Sequence, residues 1–142
     1  MARWLIAAAA GLFLAAPALS GIATGTSDDS AAAIDQLLAG RVAGKPQDCV
    51  ALSRIDGPQI IDHQTLLYTQ SGRRVWRNDL PSACPGLHAD DIVIVEAFGA
   101  NLCRGDHFRT VSRSGSIPSA PCRLGIFTPY DKAKPAAAAA PG

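Results

Sequence analysis

Between residues 49 and 128 the apolar and polar positions alternate in short runs, cut every few residues by Gly, Pro, Asp or Asn. Period-two alternation over runs this short predicts β-strands. Cys49–Ile55 places Ala51 and Ile55 on one side and Val50 and Leu52 on the other. Gly57-Pro58 bends the chain, and Gln59–Asp62 continues the strand. Thr65–Gln70 follows, with Leu66 and Tyr68 sharing a face. Ser71-Gly72 is a two-residue hairpin signal, and Arg73–Asp79 is the return strand, with Arg74, Trp76 and Asn78 on one face. Ile92–Phe98 is the most apolar run after the first twenty residues. It is β-branched and lies between turn signals, so it is predicted to be a buried strand around which the others pack. His107–Arg113 and Arg123–Thr128 complete the pattern. The expected fold is mainly β: an antiparallel meander of about six strands, curled or closed into a small open barrel.

One segment has helical spacing. Ala31, Ile34, Leu37 and Leu38 recur on a helical face, the N-capping residues Ser27, Asp28 and Asp29 precede them, and Gly40 follows as a stop. The prediction is one N-terminal helix over residues 29–39. Arg41–Asp48, with Gly44 and Pro46, reads as a linker.

The two ends differ from the middle. Met1–Trp4 is short and basic, Leu5–Ala16 is apolar without a charge, and Pro17–Ser20 supplies small residues for a cut after Ser20. This is the layout of a secretory signal peptide, and the run is short for a membrane span. The expected organisation is a signal peptide at 1–20, a flexible leader at 21–28, a single domain at 29–130 and a disordered Ala/Pro tail at 131–142. Cleavage would leave no membrane span and place the chain in the periplasm or outside the cell. It would also remove Arg3 and no acid, leaving twelve basic residues against twelve acidic. A neutral chain gives no electrostatic reason to bind nucleic acid.

All four cysteines, Cys49, Cys84, Cys103 and Cys122, lie beyond that cut. An even number in a small exported domain favours two disulfides. No pair has the C-x-x-C spacing of a zinc site. In an up-and-down meander Cys49 and Cys103 fall at one end and Cys84 and Cys122 at the other. Only cysteines at the same end can be bridged, so Cys49–Cys103 and Cys84–Cys122 are predicted. Splitting the first strand at Gly57-Pro58 would invert the argument for Cys49.

Candidate chemistry is sparse. His63 and His107 each follow an Asp, and His88 precedes Asp90-Asp91. They could serve a metal or acid–base site, but adjacent residues on a strand point to opposite faces, and Asp is an ordinary turn residue. No metal-binding, nucleophile-elbow, P-loop or dinucleotide motif occurs, so no catalytic residue, metal ligand or cofactor is assigned. Arg104-Gly105-Asp106 spells an adhesion tripeptide, in a turn where Gly and Asp are expected anyway. The densest basic–aromatic cluster is Arg73–Arg77. From it Arg74, Trp76 and Arg77 are the candidate binding residues, suited to a sugar, a phosphate or a carboxylate. A half-exposed strand with solvated arginines would look the same.

Several segments, in order, resemble a family of small exported bacterial proteins known only as a domain of unknown function. They are Leu38–Pro46 leading to Cys49, Ile60–Asp62, Arg77–Pro81, Leu102-Cys103 and Leu124–Tyr130, so the resemblance covers about Ile34 to Tyr130. It implies export and a compact β domain, and carries no activity and no binding residue. The expected function is a non-enzymatic binding or structural role in the cell envelope, with an envelope protein or glycan as partner. The alternative is a small periplasmic hydrolase or metal-dependent enzyme using His63, His88 or His107.

Overall fold

The computed structural model of the chain describes residues 25–115 and 117–134. The predicted signal peptide, residues 21–24 of the predicted leader and the predicted tail beyond Lys134 lie outside the described residues. The other leader residues, Gly25–Asp28, are helical, and Asp131 and Lys132 at the start of the predicted tail are in a strand. The elements run α1 (Gly25–Leu38), β1 (Arg41–Ala43), β2 (Cys49–Ala51), a 3-10 turn (Leu52–Arg54), β3 (Gln59–Ile60), β4 (Thr65–Gln70), β5 (Arg74–Asp79), β6 (Ile92–Glu96), β7 (Asn101–Cys103), β8 (His107–Val111), β9 (Cys122–Arg123) and β10 (Ile126–Lys132). The protein is mainly β, with antiparallel pairing throughout, one N-terminal helix and two disulfides.

The strands form three sheets, where a single meander of about six was expected. Five are ordered β1-β10-β5-β4-β3, two pair as β2-β7, and three as β6-β8-β9; none of the sheets closes into a barrel. Three local features account for the difference. Gly57-Pro58 does break the first predicted strand, separating β2 from β3. Val42 in the presumed linker pairs with Asp131, placing β1 beside β10. Asn101–Cys103, outside all the predicted strands, pairs with Cys49–Ala51. The β4–β5 loop is also one residue longer than its signal. Gln70 faces Arg74, leaving Ser71, Gly72 and Arg73 in the turn, with φ of 45° at Ser71 and 67° at Gly72.

The five-stranded sheet is covered on both faces, which explains why Thr65–Tyr68 is buried at four consecutive positions. One face carries Leu66, Tyr68, Trp76 and Phe127 into the main core, where they meet Val50, Leu102 and Phe108 from the smaller sheets. The other face carries Leu67 and Val75, against which Ile34 and Leu38 of α1 pack. Ile34 and Leu38 are one helical turn apart and share a face. Leu37, included in the predicted stripe, is exposed. The helix ends as predicted, with Gly40 at φ 69° in the left-handed region.

Ile92–Phe98 is not the central buried strand. Its β6 portion pairs only with β8, so it is an edge. Val93 and Val95 lean on the core, whereas Ile92 and Ile94 are 48% and 47% exposed and Phe98 is 91% exposed. β-Branched residues favour extended backbone whether or not both faces are covered. The core is filled by Tyr68, Trp76, Phe108 and Phe127 instead.

Three long-range ties hold the sheets in register. Cys49 and Cys103 are direct partners in the β2–β7 pair and are disulfide-bonded; the second disulfide joins Cys84 to Cys122. The third tie is polar. Fully buried Asn78 on β5 accepts a hydrogen bond from the Gly125 N–H (2.8 Å) and donates one to the Gly125 carbonyl (2.9 Å). It thereby satisfies both backbone groups of a residue between β9 and β10. Buried Tyr68 is the opposite case. Its hydroxyl has no hydrogen-bond partner among the described residues, and burial pushes its ionisation above the ordinary tyrosine range.

Candidate functional site

The side chains on the helix-facing side of β5 are Val75, Arg77 and Asp79, because alternate strand positions share a face. Val75 is sealed under α1, but towards Asp79 the helix leaves room. The result is a cleft of about 460 Å³, walled by Ile34 of α1, the Asp62–Gln64 turn, Arg77 and Asp79.

The turn is built to hold its shape. The Asp62 carboxylate accepts the Gln64 N–H at 2.7 Å, the Asx-turn bond that such residues favour. Gln64 then clamps Leu80 from both sides: its side-chain amide donates to the Leu80 carbonyl (3.1 Å), and the Leu80 N–H donates to the Gln64 carbonyl (2.8 Å). The Cys84 N–H donates to the His63 carbonyl at 2.7 Å. With Cys84 in a disulfide, His63 sits on a covalently anchored frame. The His63 and His88 rings meet edge to face, with centroids 5.4 Å apart. Arg77 Nε donates to Asp79 Oδ1 at 2.8 Å across the cleft wall. Partial burial works against the Arg77 charge, but the hydrogen bond and charge of Asp79, with a smaller contribution from Tyr130, outweigh it and keep the guanidinium protonated.

The three candidate binding residues do not share a surface. Trp76 is 4% exposed, and its indole N–H donates to Gln70 Oε1 at 2.7 Å. Arg74 lies over the Trp76 ring, 5.2 Å from its centroid, and holds Asp131 through two hydrogen bonds of 2.7 Å. Arg77 is on the opposite face and lines the cleft. Of the three histidines, His63 and His88 come together, while His107 stands on β8 opposite Glu96 and Arg123. Among the described residues no group of three or more His, Cys, Asp or Glu could hold a metal ion. The sequence reading missed Asp62 and Asp79 as site residues. Their only signals are a turn-forming Asp and the Arg-x-Asp spacing at Arg77–Asp79.

The Arg74–Asp131 pair also makes a pH prediction. The hydrogen bond and charge of Arg74 hold the Asp131 carboxyl below its ordinary range. A depressed carboxylate stabilises the fold above its unfolded pKa, and the contribution fades as pH falls through the folded value. Both side chains are partly solvated, at 36% and 48% exposure, so screening limits the effect to at most about 1 kcal/mol. Urea midpoints of wild type and Asp131→Asn should therefore differ near neutral pH and converge in strong acid. Parallel curves at all pH values would show that the pair contributes nothing.

The fold and cleft define a disulfide-stapled, mainly antiparallel β domain with a polar cleft under an N-terminal helix. Among the described residues no helix is long and apolar enough to cross a membrane. The chain belongs to a family of unknown function, DUF6491, whose model matches residues 1–140. No curated protein and no solved structure matches it.

Proposed function

We propose that the protein is an exported, non-enzymatic binding protein of the cell envelope, and that a small amine-bearing polar molecule, such as an amino sugar unit of a glycan, seats in the α1–β5 cleft. Export is supported by the signal-like residues 1–20 and by two disulfides, which persist in oxidising compartments. The observation that carries the ligand class is the charge of the cleft wall. Asp62 and Asp79 face a single guanidinium, Arg77, with His63 beside them, so carboxylates outnumber guanidinium groups in the wall two to one. A cation with hydroxyl groups would complement it and replace part of the Arg77–Asp79 contact. Ile34 gives an apolar wall for a sugar face. Arg77 is thus the binding residue this reading retains, with Arg74 and Trp76 engaged with each other.

Calorimetric titration of the oxidised protein with glucosamine and with N-acetylglucosamine separates the possibilities. Glucosamine should bind, acetylation of its amine should weaken binding about tenfold, and Asp79→Asn should erase the difference. Equal or absent binding of the two sugars would reject the amine-binding reading.

The edge-to-face contact of His63 and His88, next to Asp62, favours a second reading as an acid–base hydrolase. That reading requires turnover of an activated ester that disappears in His63→Ala.

A further inference from the structure

A sheet edge is a row of unpaired N–H and C=O groups, and soluble proteins usually blunt it with short strands, Pro or Lys. Most edges here follow that rule. β3 and β9 have two residues each, and β1 has three. β6 does not. It is five residues long, reads Ile-Val-Ile-Val-Glu, has neither Pro nor Lys, and pairs with β8 on one side only. Among the described residues, no backbone hydrogen bond from another element reaches Ile92–Glu96 on the other side.

The outer surface of that edge is apolar. Ile92 and Ile94 are about half exposed, and Phe98, two residues past the strand end, is almost wholly exposed. These three side chains present on the order of 400 Å² of apolar surface, about the size of the largest patch on a typical monomer, which is often functional.

We propose that β6 is a homodimer interface, in which two copies pair their β6 strands antiparallel about a two-fold axis through Ile94 and join their three-stranded sheets into one. The strand is complementary to itself in this register. Ile94 meets Ile94, Val93 meets Val95, and Glu96 of each copy meets Ile92 of the other, so no like charges are opposed. Each Glu96 keeps Arg109 of its own chain as its ion partner at 3.4 Å. The whole chain carries a formal charge of only +1, so the copies do not repel one another strongly. Side chains stand roughly perpendicular to the sheet, so the pairing covers the two backbone edges and only the flanks of the apolar side chains, which places the contact among weak, transient interfaces. Association should therefore be reversible and concentration-dependent. An isologous contact of this kind closes on itself and does not propagate into fibres.

Sedimentation equilibrium of the oxidised full chain should show the mass doubling between low and high micromolar concentration. Ile94→Lys places two cations face to face and should hold the protein at monomer mass throughout. Val42→Lys, on the separate β1 edge, should dimerise as wild type does. Hydrogen exchange on the unaltered protein gives an independent reading: protection of the Ile92–Glu96 amides should rise with concentration. A monomer at every concentration, a dimer that survives Ile94→Lys, or β6 protection that appears only when envelope extract is added would each overturn the proposal.

Discussion

Gly125→Ala will destabilise the domain by about 4 kcal/mol, an overpacking cost added to the loss of buried hydrogen bonds. A Cβ at Gly125 would be driven into the carbonyl of Asp79, a backbone group that cannot swing aside. The connection between β9 and β10 would have to retreat from β5, and both hydrogen bonds between Asn78 and Gly125 would stretch or break. Because Leu124 and Phe127 flank this point and are fully buried, the displacement reaches the main core. Asn78→Ala isolates the polar part of the effect. It removes no backbone space but leaves the N–H and C=O of Gly125 buried and unpaired, at about 3 kcal/mol for the two groups. Gly40→Ala is the control. Gly40 is left-handed at φ 69° but has open space around it, so only the conformational cost of about 1 kcal/mol applies. Urea unfolding of the three variants should rank them in that order. A Gly125→Ala protein as stable as Gly40→Ala would show that β10 is free to shift and that the clip is not structural.

This clip shows what could and could not be read from the chain. Arg77–Pro81 and Leu124–Tyr130 were both recognisable as segments, but nothing in either says that Asn78 closes on Gly125, 47 residues away. Strand positions were legible at Thr65–Gln70 and Arg74–Asp79 because alternation is a local property. Pairing was not, because β2 chooses β7 and β1 chooses β10 through contacts that local pattern does not encode. Apolarity misled at Ile92–Glu96, since it reports strand preference as much as burial. At Trp76 the sequence left two readings, a binding face or a ring covering the core edge, and the ring is sealed in the core. The cleft was the least legible feature. Its wall comes from α1, the Asp62–Gln64 turn and β5, and each piece alone is an ordinary cap, turn or ion pair.

Removing the disulfides should have the largest effect of all, and the two should not be equivalent. Chain-entropy estimates for loops spanning 54 and 38 residues are nearly equal, about 4 kcal/mol each. Packing must therefore separate them. Cys84 is 1% exposed and belongs to the main core, whereas Cys49 is on the surface. Cys84→Ala with Cys122→Ala loses the staple and opens a void beside Leu80 and Leu87, so it should unfold the domain globally. Cys49→Ala with Cys103→Ala loses a staple across a two-stranded sheet that is marginal on its own. Val50 and Leu102 remain buried there and resist complete release. Hydrogen exchange in this second variant should show loss of protection confined mainly to β2 and β7. In the first, the whole five-stranded sheet should lose protection together. The pairing reached from strand order is the one the structure has, but the physical reason differs: Cys49 and Cys103 face each other directly across a ladder. The meander argument would have inverted once Gly57-Pro58 split the strand. Intact mass with four free thiols in a protein that still unfolds cooperatively would contradict both the staple argument and the oxidising compartment it implies.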